Sequence, residues 1–340
     1  MLLTLSILLA AILGFAAHRA GMCSVRAVGE ILTTRRSLML QSFIKASFWV
    51  VGIAVPLAWL SLTPPHSIAL FALAWSALLG GFVFGVGAAF NGGCAFFTLS
   101  RLVGGELKLL FTLLGFVLGF VLHSQLFPAF HSPPAAPLLA VYQRFESSYL
   151  LLLLPVWGWM AYELWRLWAS RPAGMTWLQR LLADQYRLST GAFLFGVSNA
   201  VLISIWGGWS YPGTLYGLVT HPVIGSVDVT RLLLFAALLG GMVFSALQRR
   251  SVRWRFDSPR QWLVHLLSGS LMGVGIAMTP GGNTGLLLEG IPMLSPHAIP
   301  AYLAMMVGVA AVLMLKMALF KQPMNVDCRG DVVQTENTQL

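Results

Sequence analysis

Nine apolar stretches, each about the length of a bilayer crossing, leave this chain few folds to choose from. Their approximate limits are 2–18, 39–61, 67–90, 106–127, 148–168, 187–205, 229–247, 261–279 and 297–320. A hydrocarbon core about 30 Å thick takes roughly 20 apolar residues per helical crossing. Of 340 residues, 57% are hydrophobic and only 9% charged, whereas about a quarter are charged in soluble domains. The expectation is an all-α polytopic membrane protein with about nine transmembrane helices.

The formal net charge of +10 gathers in a few connections. Arg19, Arg26, Arg35 and Arg36 lie between the first two stretches, Arg166, Arg171, Arg180 and Arg187 between the fifth and sixth, and five arginines in 249–260 between the seventh and eighth. These places share one side if nine spans alternate, while 63–67 and 221–228 on the other side carry only Asp228. The positive-inside bias then puts the N-terminus outside and the C-terminus in the cytoplasm. With no soluble basic domain, nucleic acid is excluded as a partner. The first stretch lacks the basic leader and cleavage site of a signal peptide and is read as a retained helix. Three cysteines do not make a disulfide scaffold. The histidines lack helical metal-ligand spacing, so neither metal nor other cofactor is expected.

Two segments interrupt the apolar pattern with glycine and cysteine: HRAGMCSVRA at 18–27 and FNGGCAFFTLSR at 90–101. Irregular backbone at membrane depth is tolerated only where protein or a water-filled cavity shields it from lipid. The second segment has a counterpart. LLGGFVFGVGAAFNGGC (78–94) and LLSGSLMGVGIAMTPGGN (266–283) share a glycine pattern that brings Asn283 to the place of Cys94. A weaker match relates the 14–23 region to 196–213. Five spans separate the equivalents, so the halves are expected to face opposite ways, with short re-entrant half-helices in two inverted repeats. The division is 1–128 for the first half, 129–186 for a connector helix and basic loop, 187–320 for the second half and 321–340 for a polar cytoplasmic tail.

Candidate solute-path residues follow from the breaks: Cys23, Cys94, Asn91, Gly92, Gly93, Gly281, Gly282, Asn283 and Thr284. Arg19 and Arg26 flank Cys23, where they either hold an anion or anchor the chain at the interface. Cys94 follows a Gly-Gly pair and opens a half-helix whose N-terminal N–H groups favour an anion. Gly81, Gly85, Gly269 and Gly273 are read as helix-packing positions. Glu106 and Glu289 are read as interface carboxylates or partners of a nearby cation such as Lys108, Trp206, Trp209 and Tyr211 as an interfacial aromatic belt, and Cys328 as incidental.

The segment from Gly14 through Cys23 to Arg26, together with Gly92-Gly93-Cys94 and Gly105-Glu106, resembles the YeeE/YedE family, the sulphur-transport domain of bacterial inner-membrane proteins. The resemblance extends over roughly 10–120 and 190–315. It implies import of thiosulfate or a related sulphur compound, with Cys23 and Cys94 as relay residues and a small cytoplasmic sulphur-carrier protein as partner. Where the family commonly has a further Gly-Gly-Cys, this sequence has Gly281-Gly282-Asn283-Thr284-Gly285. The function expected is a permease for a small sulphur-containing anion. The alternatives are a membrane thiol oxidoreductase using Cys23 and Cys94, or a structural accessory subunit.

Overall fold

A computed structural model describes residues 1–60, 70–135, 148–170, 176, 179, 182–220, 228–320, 326–329 and 331–335. Its long helices are α1 (Leu2–Ala20), α3 (Leu38–Trp59), α4 (Trp75–Asn91), α6 (Leu109–Leu126), α7 (Ser148–Ala169), α8 (Leu188–Trp206), α10 (Val229–Gln248), α11 (Pro259–Met278) and α12 (Ala298–Phe320). Shorter helices follow four of them: α2 (Ser24–Thr34), α5 (Ala95–Val103), α9 (Tyr211–Thr220) and the paired turns Gly282–Gly285 and Leu286–Gly290, the latter π-helical. By length and composition, eight stretches among the described residues can cross a membrane. Four of these, Leu2–Thr34, Trp75–Val103, Leu188–Thr220 and Pro259–Gly290, are the ones broken inside. The expected all-α polytopic fold with half-helices is the fold observed, and α7 supplies the ninth long helix.

The breaks fall where the backbone leaves the right-handed helix. Gly21 and Gly92 end α1 and α4 with φ of 59° and 73°, a left-handed conformation that glycine adopts without penalty. Each keeps its N–H bonded to a carbonyl of the helix it ends, Ala17 for Gly21 and Ala88 for Gly92, so no donor is stranded in an apolar surround.

α1 packs on α8 and α10, α3 on α8, α4 on α11 and α12, and α6 on α11. Exchanging α1, α3, α4 and α6 for α8, α10, α11 and α12 leaves that set of pairings unchanged. Small residues let the backbones meet. A Cβ built on Gly14 would lie 1.9 Å from the Leu238 carbonyl oxygen, and one on Gly241 would lie 1.9 Å from that of Ala11. The four glycines read as packing positions behave alike: Gly81 and Gly85 face α12 carbonyls, and Gly269 and Gly273 face carbonyls of α6.

Part of the stretch 321–340, expected as a polar cytoplasmic tail, forms regular structure among the described residues. Val326–Arg329 and Val332–Thr335 pair as an antiparallel hairpin, β1 and β2, packed on α2. Cys328 and Val333 are directly opposite partners, and both are buried, because alternate residues of a strand share a face. Asp331 docks the hairpin: its carbonyl accepts the Leu188 N–H at 2.7 Å, and its carboxylate accepts from Ser189 N at 3.2 Å. It thereby caps the N-terminus of α8 from a distant part of the chain.

Overpacking of an already tight contact costs about 1–3 kcal/mol. Gly241→Ala, at the α1 contact, should lower the thermal midpoint of the detergent-solubilised protein clearly. Gly240→Ala, where nothing lies within 4 Å of the added Cβ, should leave it nearly unchanged.

Candidate functional site

All four broken segments meet in the core. Cys23 is the N-cap of α2 and Cys94 the N-cap of α5, both with extended backbone. The Cys94 N–H points at the Cys23 sulphur, 3.3 Å away. Both are buried, at 0% and 1% exposure. From the last break, Asn283 donates through Nδ2 to Ser24 Oγ at 3.3 Å. From the remaining one, the Tyr211 hydroxyl donates to the Ala95 carbonyl at 2.7 Å, and Trp209 N–H donates to Glu289 Oε1 at 2.9 Å.

The arrangement brings two thiols to the positive ends of two half-helices. N-terminal N–H groups and the aligned peptide dipoles favour negative charge there, whether on a bound anion or on sulphur. Gly281 and Gly282, with φ of 96° and 56°, turn the chain so that Asn283 enters beside Ser24. Thr284 follows, half-buried. The neighbouring packing is tight: a Cβ on Gly93 would lie 2.8 Å from the Phe97 ring.

Other polar residues of the breaks are held by the protein itself. Asn91 donates to Gly93 O at 3.0 Å and Thr98 Oγ1 at 2.7 Å, and its oxygen accepts from Thr112 at 2.7 Å and meets His265 Nδ1 at 2.9 Å. It thus ties α4, α5, α6 and α11 together. Asn199 donates to the Leu288 carbonyl at 3.2 Å, securing the π-helical turn. Arg19, 1% exposed, donates to Ser245 Oγ at 3.1 Å, to the Ala183 carbonyl and to Gln248 Oε1.

Beside Gly21 and Arg26 opens a cavity of about 590 Å³, lined also by Arg19, Arg101, Arg249, Arg253 and Arg255, with Glu106 the carboxylate among them. Arginines from the first and third basic connections therefore share one chamber, joined there by Gln185 and by Val333 of the hairpin. Arg26 and Arg101 both approach the Phe97 ring, with guanidinium carbons 4.2 and 5.9 Å from its centroid. Arg26 lines the chamber and follows the N-cap Cys23 by one helical turn at the start of α2, so it links the chamber to the first thiol.

Three residues escaped the sequence reading. Ser24 follows Cys23 directly, but a serine after a cysteine carries no signal. Tyr302, on α12, reaches the site from an uninterrupted helix. Tyr211 was assigned to an aromatic belt, as was Trp209; their exposures of 0% and 4% correct that assignment, because both lie in the protein core where the broken segments meet. Glu106 is held as expected of a paired carboxylate: Arg101 binds it through two hydrogen bonds of 3.0 and 2.6 Å, and Lys108 lies 3.8 Å away. Glu289 is bonded to backbone instead.

Broken apolar helices whose interruptions converge on a buried polar centre define a multi-pass membrane protein of the interrupted-helix class. The sequence matches the sulphur transport family over residues 19–311, and the chain belongs to that family, whose members are membrane transporters of sulphur compounds. No curated protein matches the chain.

Burial acts to raise the Glu106 pKa, but the Arg101 hydrogen bonds and the charges of Arg101, Lys108 and Arg255 outweigh it and hold the carboxyl below its usual 4.5. A depressed carboxyl stabilises the fold above its unfolded pKa, and that contribution is lost as pH falls through the folded value. The thermal midpoint of the wild type should therefore drop as pH is lowered below about 4.5. Glu106→Gln should start lower and show a shallower acid slope.

Proposed function

We propose that this protein is a permease for a small sulphur-containing anion, thiosulfate or a related compound, in the bacterial inner membrane. The observation that carries the reading is the contact between Cys23 and Cys94, delivered by two different interrupted helices to the N-termini of α2 and α5. Family membership supports the substrate class.

In this reading residues 1–128 and 187–320 are inverted repeats joined by the 129–186 connector. The unchanged helix pairings on exchange of the halves support that division. The N-terminus lies outside, and the arginine chamber opens to the cytoplasm, as the positive-inside bias asks. An anion entering from outside sheds its water in steps and is met by the thiols of Cys23 and Cys94, the amide of Asn283 and the backbone around Gly92, Gly93, Gly281, Gly282 and Thr284. Each neutral hydrogen bond contributes about 1 kcal/mol net. Weak donors suit conduction, since a site must admit an ion and still release it. Arg26 then draws the anion into the chamber, where Arg19 adds charge while bracing α1 against α10. Asn91 acts by holding the second break in shape. A small cytoplasmic sulphur-carrier protein receives the compound.

Uptake of labelled thiosulfate into proteoliposomes tests the reading. The wild type should exceed empty vesicles, and Cys23→Ser and Cys94→Ser should each reduce the initial rate about tenfold, the worth of a hydrogen bond or two. No uptake by the wild type across a panel of sulphur anions would sink the transport reading, and undiminished uptake by both variants would sink the thiol relay. The proximity of the two thiols also favours a redox reading. Reversible disulfide formation in step with turnover would support an oxidoreductase, and a pair that stays reduced under oxidant would count against it.

A further inference from the structure

Buried polar atoms almost always find partners, and those that do not mark a place completed by something else. Two such atoms lie at the thiol centre. Asn283 Oδ1 and the Tyr302 hydroxyl have no hydrogen-bond partner among the described residues, although the side chains are only 3% and 5% exposed. Tyr302 comes from α12, which packs against α2, and its hydroxyl is turned toward the Ser24 side chain next to Cys23 without meeting it in hydrogen-bond geometry.

The contrast with Tyr211 is informative. That phenol is equally buried at the same centre, yet the protein gives its hydroxyl the Ala95 carbonyl. Tyr302 has only the Ser24 side chain nearby, outside hydrogen-bond geometry. A phenol is a far better hydrogen-bond donor than a thiol, and bonds from it to an ionised oxygen belong to the strong, charge-assisted kind. The donors at the centre thus divide into two faces. Cys23 and Cys94 are soft, polarizable sulphur groups. Tyr302, Ser24 and Asn283 are oxygen and nitrogen groups, and turning the Asn283 amide about its terminal bond exchanges its oxygen for an N–H donor.

We propose that Tyr302 is the specificity-determining donor of the site and binds the oxygen end of an anion whose sulphur end rests against Cys23 and Cys94. The inference rests on the permease reading and deepens it: the preferred substrate carries a bare sulphur at one end and an oxyanion at the other, as thiosulfate does. A wholly oxygenated anion such as sulfate engages only the Tyr302 face, and a sulphur-ended anion without oxygens, such as thiocyanate, only the thiol face.

The test compares wild type with Tyr302→Phe, which keeps the ring and removes the hydroxyl. Without substrate the variant should melt at or above the wild-type midpoint, because the hydroxyl it loses is unsatisfied there. In proteoliposomes its thiosulfate uptake should fall about tenfold, the loss expected for one hydrogen bond to a charged group. Sulfate should weaken as a competitor of the residual uptake, and thiocyanate should compete as before. A variant that melts lower, retains wild-type uptake, or loses competition by both anions equally would overturn the assignment. A wild type that takes up no sulphur anion would overturn the permease reading and this assignment with it.

Discussion

The structure depends on one requirement, that backbone polar groups find partners wherever a helix stops inside an apolar bundle. Each interruption meets it locally. Gly21 and Gly207 return their N–H groups to carbonyls of the helices they end, at 3.3 and 2.8 Å, and the Cys94 N–H turns to a sulphur. Further hydrogen bonds cross between the interruptions, from the Asn283 amide to Ser24 and from the Trp209 N–H to Glu289. The four breaks are therefore one polar centre held together by mutual hydrogen bonding.

That origin sets the chemistry of the centre. Half-helices begin where long helices stop, so the residues at the breaks are N-caps. Here the caps of α2 and α5 are cysteines, where serine, threonine, aspartate or asparagine would be usual, and neither makes a side-chain cap hydrogen bond. The capping position is given over to sulphur. The arginines are kept one layer away, Arg19 bound into the protein and Arg26 spread over Phe97.

Much of this was legible in the sequence, for reasons that differ residue by residue. Long helices register as apolar runs, and the spans ending near 18 and 205 end in the structure at Ala20 and Trp206. The breaks were legible because Gly21, Gly92 and Gly281 occur where a left-handed backbone is needed and glycine is the residue that supplies it. Helix packing at Gly81 and Gly273 was legible through spacing. Tyr302 was not, because a tyrosine in an unbroken apolar helix looks like any other core aromatic. Trp209 and Tyr211 misled for a related reason: aromatics next to a break read as an interfacial belt unless the break itself is buried. The hairpin was missed because its apolar alternation is only a few residues long, and its anchor, Asp331, acts on a helix start far away in sequence.

The glycine contacts between α4 and α12, and between α6 and α11, bring main chains so near that an added methyl would meet a carbonyl oxygen at 2.1–2.5 Å. Helices touching through their main chains have no side-chain cushion along which to slide, and ridges so closely engaged resist both rotation and shear. The long helices consequently form a stiff frame. Any widening that lets a solute through falls to the short pieces between these helices, the π-helical turn after Gly285 and the starts of α2 and α5, so that conduction in such a scaffold is a matter of local loosening within fixed walls.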